Sequence, residues 1–280
     1  KSMGLAMIGF VDAFERLNPD MVIVLGDRYE IFASASTAMV SRIPIAHIHG
    51  GETTEGAFDE AFRHSITKMS HLHFTSTEEY RKRVIQLGEE PSRVFNVGAI
   101  GIESIRKLQL LDKIQLEESI KFKFGTKTAL VTFHPVTLES NTAKSQFQEL
   151  LNVLDKFNDL KVIFTKANSD TDGRIINRMI DEYVDKNKEK AIAFTSMGQL
   201  KYLSAMKYTD LVIGNSSSGI IEAPSFNIPT INIGDRQKGR VQSKTIINCK
   251  PEEKYIDKAI TTGLSFEFKK QIKDIKNPYE

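Results

Sequence analysis

The sequence predicts an α/β protein built as two doubly wound parallel-sheet domains. Three observations carry this reading. Short apolar runs alternate with amphipathic segments along almost the whole chain. Runs such as Met21 to Leu25 are apolar at nearly every position, as in strands covered on both faces. The alternation pauses over the charged, helical stretch from Gly101 to Gly125 and restarts at Thr128, so this stretch reads as a hinge. The expected domains are therefore 1–115 and 116–280, with the last helix returning to the N-terminal domain.

The elements follow in order. Met3, Ile8, Val11, Phe14 and Leu17 have helical spacing, and Asn18-Pro19 stops that helix. Such a helix ordinarily follows a strand, and the chain begins at Lys1, so the sequence is expected to start inside a domain. The strand from Met21 to Leu25 ends at Gly26-Asp27-Arg28. Tyr29 to Ser41 reads as a helix and Ile43 to Ile48 as the next strand, with His47, His49 and Glu52 at or just beyond its end. Asp59 to Ser70 is helical, with Asp59 in the first turn and Arg63 and His64 a turn later. His71 to Thr75 is a strand, Glu78 to Leu87 a helix and Val94 to Val97 a strand. In the second half, strands are expected at Ala129 to Phe133, Lys161 to Phe164, Ala191 to Phe194, Leu211 to Ile213, Pro229 to Ile233 and Thr245 to Asn248. Helices are expected at Ser145 to Phe157, Gly173 to Asp185, Met197 to Met206 and Glu252 to Thr262. Strand ends of both sheets would face a cleft between the domains.

Composition narrows the function classes. A formal charge of +2 over 280 residues suggests neither a nucleic-acid partner nor a polybasic membrane surface. One cysteine, Cys249, excludes a disulfide within the chain and points to a reducing, cytoplasmic compartment. No apolar run approaches the ~18 residues that span a bilayer.

The most informative stretch runs from Gly214 to Arg240. Gly214 and Asn215 break a buried strand, then Ser216, Ser217, Ser218 and Gly219 precede an apolar segment from Ile220 to Phe226. The serines thus sit where a helix N-terminus presents free N–H groups, which favour an anion such as pyrophosphate. Glu222, one turn on, is suited to accept hydrogen bonds from ribose hydroxyls, and Arg236, Lys238 and Arg240 lie in the following basic turn. An ordinary serine cap followed by a solvated basic loop fits the same residues equally well.

Asp27, His49, Glu52, Asp59 and His134 all fall at strand exits or the turns after them, where ligands bind open α/β sheets. Singly, each has a bland explanation as a cap or a packed histidine; together they mark one crevice. The His47/His49 and His71/His73 pairs raise a metal site, but no cysteine or third histidine arrives at ligand spacing, so no metal is expected. GxSxG, GxxxxGK[ST] and GxGxxG are all absent, which removes the devices of serine hydrolases, P-loop NTPases and dinucleotide dehydrogenases.

LGDRYE (Leu25 to Glu30), HIHGGE (His47 to Glu52), FDEAFRHSITKMSHLH (Phe58 to His73), FHPVT (Phe133 to Thr137), GNSSSGIIEAP and INIGDRQKGR stand in this order. In order and spacing the chain resembles the hydrolysing UDP-N-acetylglucosamine 2-epimerases of bacterial sialic-acid capsule synthesis. The resemblance implies a glycosyltransferase-B type architecture of two Rossmann-like domains with the active site between them. It implies conversion of UDP-N-acetylglucosamine to UDP and N-acetylmannosamine, by elimination of UDP to 2-acetamidoglucal and rehydration with inversion at C2. It implies no cofactor, a UDP-sugar as the partner, and a homodimer or homotetramer.

Position by position, the resemblance makes Asp27 and Asp59 catalytic carboxylates, Arg28 a neighbouring arginine and His134 a histidine near the pyrophosphate or sugar. It makes Asn215, Ser216, Ser217, Ser218 and Gly219 the phosphate loop, Glu222 the ribose ligand and Arg236 a basic residue near the nucleotide. Many relatives have a catalytic glutamate where this chain has His49, with Glu52 following, so which of the two joins the proton transfers stays open. Family members begin with a strand and a Gly-Ser-Arg loop that nothing here matches, so the N-terminal domain is expected to be truncated and this stretch alone to have little activity. The competing readings are the same reaction on UDP- or GDP-linked diacetylbacillosamine, a glycosyltransferase, and a nucleotide-sugar binding module without catalysis.

Overall fold

The computed structural model describes residues 1–53, 59–135, 142–167 and 171–280. They divide into two compact units, one of Lys1–Ile100, Lys238–Val241 and Pro278–Glu280, the other of Gly101–Gln237 and Gln242–Asn277.

The first unit runs α1 (Ser2–Leu17), β1 (Val22–Leu25), α2 (Tyr29–Val40), β2 (Ile45–Ile48), α3 (Asp59–Met69), β3 (Leu72–Thr75), α4 (Glu78–Gln86) and β4 (Val94–Asn96). Its four strands are parallel, in the order β1-β2-β3-β4. Each helix returns the chain to the next position along the sheet, which is why no strand pairs out of sequence. Val24, Ala35, Ala38, Ile45 and Ile66 form the core between the sheet and α2 and α3. Thr77 caps α4 by accepting from the Tyr80 N–H at 3.2 Å. One expectation is corrected here. The apolar run of β1 reads as covered on both faces, yet Val24 is buried while Ile23 and Leu25 are 69% and 51% exposed. In a strand, successive side chains alternate faces, and only the Val24 face carries helices.

The second unit continues with α5 (Ile100–Lys107), α6 (Lys113–Ile120), β5 (Lys127–Thr132), α7 (Ala143–Lys156), β6 (Leu160–Thr165), α8 (Thr171–Lys186), β7 (Ala191–Phe194), α9 (Gly198–Tyr208), β8 (Leu211–Gly214), α10 (Ser217–Ile221), β9 (Thr230–Ile233), β10 (Ile246–Cys249), α11 (Glu253–Leu264) and α12 (Phe266–Ile272). The sequence boundary at 115 falls within α6, whose Leu116 and Ile120 are buried with Leu130 and Ile163. Asp112 and Gln115 close a capping box at the start of that helix.

All six strands are parallel, in the order β10-β9-β8-β5-β6-β7. From β5 the chain winds outward one way through β6 and β7, then returns to the other side of β5 for β8, β9 and β10. The reversal between β5 and β8 is a topological switch point, where neighbouring loops diverge and open a crevice at the carboxyl ends of the strands. Strand β5 lies buried along almost its whole length, with Phe133, Phe147 and Phe164 in tilted and edge-on ring contacts in the core beside it.

Candidate active site

The switch point of the second unit is built by glycine and asparagine chemistry. Gly214 ends β8 at φ +134, and a Cβ there would sit 1.9 Å from the Thr132 carbonyl oxygen. Only glycine lets the end of β8 approach β5 this closely. Asn215 follows, 1% exposed. Its side chain accepts from the His134 N–H at 2.7 Å and donates to the His134 carbonyl at 2.8 Å, tying the two loops across the crevice. The Asn215 carbonyl in turn accepts from Arg236 at 2.9 Å and Gln237 at 2.8 Å, so the basic turn is anchored on the same residue.

A cavity of about 390 Å³ opens here, lined by Thr132 and His134 after β5, Thr165 and Lys166 after β6, residues 195–199 after β7, Tyr202, Ser216 and Ser218. Hydroxyls and one ammonium dominate the polar lining, with Met197 and Tyr202 supplying apolar surface. That mixture suits a ligand with a phosphate end and a flat apolar end. Ser216 caps α10 and accepts from the Ser218 N–H at 3.4 Å. The helix is only one turn long: a 3-10 turn takes over at Ala223–Phe226, because Pro224 cannot donate to a continuing helix. Glu222 is therefore a C-cap rather than a mid-helix residue.

The first unit gathers charge at its own strand ends. Arg63 on α3, 4% exposed, donates to the Asp27 carboxylate after β1 and to the His49 carbonyl after β2, the latter at 2.9 Å. Its Nη1 also lies 3.6 Å from Glu52 Oε2. Glu52 is 2% exposed; it accepts from the Ser76 hydroxyl at 2.9 Å and from Arg240 at 2.7 Å. Burial alone would raise its pKa, but Arg240, Arg63, His49 and Ser76 outweigh burial and hold the carboxyl below its ordinary range. Asp59 behaves oppositely: burial and the Asp27 charge push it up, against the pull of Arg28 and Arg63.

Arg240 reaches this cluster because residues 238–241 cross back into the first unit. A closed ring of hydroxyl bonds holds them. The Val241 N–H donates to Tyr80 Oη at 2.9 Å, the Tyr279 hydroxyl donates to the Val241 carbonyl at 2.9 Å, and Tyr80 bonds Tyr279 at 3.2 Å. Since Tyr279 has given its proton to Val241, the Tyr80 proton points to Tyr279. The loop bearing Asp27 has a separate support. His47, fully buried, donates from Nε2 to the Gly26 carbonyl at 2.9 Å and faces Thr67 with Nδ1 at 3.2 Å. Burial drives its pKa down to about 4, so it stays neutral.

The family model for UDP-N-acetylglucosamine 2-epimerase matches residues 1–280. The chain belongs to this family. Among its relatives, the GDP/UDP-N,N'-diacetylbacillosamine 2-epimerase (hydrolyzing) of Campylobacter jejuni is 48% identical over 269 residues, covering 96% of this chain and 70% of that protein. Polysialic acid biosynthesis protein P7 of Escherichia coli is 44% identical over 282 residues, covering 99% and 71%. The crystal structure of UDP-GlcNAc 2-epimerase from Neisseria meningitidis bound to UDP-GlcNAc matches the fold with a TM-score of 0.83 at 20% identity, covering 99% of this chain and 77% of that one. The two parallel-sheet units are thus those of the UDP-GlcNAc 2-epimerase fold.

The residues singled out in the sequence lie in the structure as follows. Asp27, His49 and Glu52 come together around Arg63, with Asp59 close enough to feel the charge of Asp27. His134, Ser216 and Ser218 line the second unit's cavity, and Asn215 and Arg236 brace it. Gly219 is buried, and a Cβ on it would press to 2.9 Å from Thr230, so its small size serves the packing of α10 on β9. Glu222 packs its carboxylate over Gly101. Arg28 is 68% exposed and pairs with Glu30, so the guanidinium on Asp27 is that of Arg63. Arg240, read in the sequence as part of one basic turn with Arg236, points instead to Glu52, because residues on opposite arms of a turn diverge. The sequence reading missed Lys166, Ser76 and Tyr202, which carry no motif of their own. Phe58, Val136 and Thr137 of the quoted motifs lie outside the described residues. Of the histidine pairs weighed for metal, His47 and His73 are buried, and His73 faces Glu89 at 3.1 Å. Among the described residues no helix is long and apolar enough to cross a membrane.

Proposed function

We propose that the protein is a hydrolysing 2-epimerase of a nucleotide-linked 2-acetamido sugar. The second unit takes the nucleotide diphosphate: Ser216, Ser217, Ser218, Gly219 and Arg236 serve the phosphates, Glu222 the ribose, and the cavity beside Lys166 and Tyr202 the remaining nucleoside. The first unit supplies the proton chemistry. The observation that carries this reading is the pairing of Asp27, fixed on Arg63, with Asp59, pushed up by burial and by the charge of Asp27. A carboxyl whose hold on its proton is strengthened in this way is suited to act as an acid, beside a neighbour held in an ion pair with Arg63. The C2 proton is removed, the C1–O bond breaks with its electron pair leaving on the nucleotide, and water then adds across C1=C2 with C2 inverted. His134 faces the leaving phosphates.

The sugar we favour is N,N'-diacetylbacillosamine on UDP or GDP, because the Campylobacter relative bearing that name is 48% identical. UDP-N-acetylglucosamine, the substrate implied by the motif resemblance, is the second reading, supported by the relationship to the polysialic acid protein. The resemblance further implies a homodimer or homotetramer, and the single cysteine supports a cytoplasmic location. The test is to incubate the full-length protein with each nucleotide sugar in deuterated water. Free nucleotide and a free C2-inverted sugar deuterated at C2 are expected. Release without deuterium at C2, or transfer of the sugar to an acceptor, would overturn the proposal.

A further inference from the structure

Two groups of the first unit compete for the proton, His49 and Glu52, and their surroundings differ. Both oxygens of Glu52 are occupied: Oε1 by the Ser76 hydroxyl at 2.9 Å and His49 Nδ1 at 3.4 Å, Oε2 by Arg240 at 2.7 Å with Arg63 at 3.6 Å. Protonating it would leave the buried Arg240 guanidinium without its counter-charge and Arg63 with Asp27 alone, which is a costly state for such a cluster. His49 is the more accessible of the two, its side chain 17% exposed against 2%.

The ring of His49 is held from both ends. Its backbone is in the left-handed region at φ +63, uncommon for a residue with a Cβ, and its carbonyl accepts from Arg63 at 2.9 Å. Gly51 follows at φ +77, where a Cβ would fall 2.5 Å from the Tyr80 carbonyl oxygen, so the loop is pressed against α4. The Ile100 N–H points at His49 Nε2 from 3.4 Å. A backbone N–H can only donate, so Nε2 presents its lone pair, and the ring proton is on Nδ1, facing a carboxylate that can only accept. Both neighbours select one tautomer.

We propose, resting on the epimerase reading above, that Glu52 is a positioning residue that holds His49 as the Nδ1–H tautomer, and that His49 Nε2 is the atom of this pair that takes the C2 proton. In the elimination, Nε2 bonds the proton leaving C2, the C–H electron pair becomes the C1=C2 bond, and the C1–O pair departs with the nucleotide. Nδ1 keeps its own proton toward Glu52, which stays charged throughout. The long contact to Ile100 is the one that yields when substrate enters. Burial depresses the imidazole, Arg63 and Arg240 add to this, and Glu52 opposes them, so His49 is neutral and ready to accept at neutral pH.

The direct test reads the tautomer. Long-range proton–nitrogen correlation spectra of the full chain, with the His49 signals assigned by their loss in His49→Gln, are expected to show a protonated Nδ1 and a bare Nε2 at neutral pH. An Nε2–H tautomer in the wild type overturns the proposal whether or not the protein proves to be an epimerase. The second readout is kinetic. His49→Gln is expected to lower kcat by about 10²–10⁴-fold, the usual share of a general base. Glu52→Gln removes the charge that supports the imidazolium, so it lowers the His49 pKa and moves the acid limb of the kcat/KM profile to lower pH. A Glu52→Gln variant that folds and keeps both the wild-type tautomer and the wild-type acid limb also sinks the idea.

Discussion

Asn215→Ala is the perturbation from which the switch point of the second unit can be judged most directly. The side chain is 1% exposed and makes two short bonds to the backbone of His134, one accepted at 2.7 Å and one donated at 2.8 Å. Each contributes about 1 kcal/mol net, and stranding a buried backbone N–H or C=O costs about 1–3 kcal/mol. Water reaching the new space recovers part of this, so the expected loss is about 2–4 kcal/mol. Arg236 and Gln237 bind the Asn215 carbonyl, not its side chain, and so survive the substitution. The assay is urea unfolding followed on the transition of the second unit, with the slope m required to stay constant so that the midpoint shift reports stability. Because His134 also lines the cavity, affinity for UDP should fall at the same time. A shift below about 1 kcal/mol at constant m, with UDP affinity unchanged, would refute the claim that this pair ties the crevice together.

His47 is buried and neutral, with a folded-state pKa of about 4 against an ordinary 6.5. Its contribution is complete above pH 6.5 and is lost as pH falls toward 4, since the unfolded chain takes up the proton first; the full effect is about 3 kcal/mol. Unfolding free energies measured across this window should slope downward toward acid, and His47→Gln should flatten the slope. Arg63→Met, which leaves Asp27 and Glu52 short of a buried counter-charge, should destabilise the first unit by about 3–5 kcal/mol. Arg28→Met, at a 68% exposed pair with Glu30, should change stability by less than about 1 kcal/mol in the same thermal or urea titration. Equal losses in the two variants would contradict the arrangement described for Asp27.

The elements were legible wherever one physical signal dominated. Apolar runs such as Leu211–Gly214 and Ala191–Phe194 have no helical stripe and are strands, the first fully buried and the second at the sheet edge. The signal failed where two patterns overlap. Ile220 to Phe226 is apolar enough for a helix, but Pro224 ends the ladder after one turn. Phe266–Ile272 was not anticipated, because seven residues with three charges show too little periodicity to stand out. The run in β1 is equally apolar whether one face is covered or both, so the exposure of Ile23 and Leu25 was not readable.

For the candidate site, the sequence placed acids and histidines at strand exits because sheet topology delivers those positions to a crevice whatever the loops do. It could not assign cations to carboxylates. Arg63 meets Asp27 across 36 residues and Arg240 meets Glu52 across 188, the second contact depending on a tyrosine ring that pins residues 238–241 to the first unit. Once these pairs are known, the electrostatics of the cluster follow. Asp27, Arg63, Glu52 and Arg240 alternate in sign and sum to zero, so changing the charge of any one of them leaves a buried partner uncompensated. His49 is the neutral member: its backbone carbonyl accepts from Arg63, while its ring meets the chain of charges through Nδ1. It can gain and lose a proton without breaking an ion pair, which is the property a general base needs.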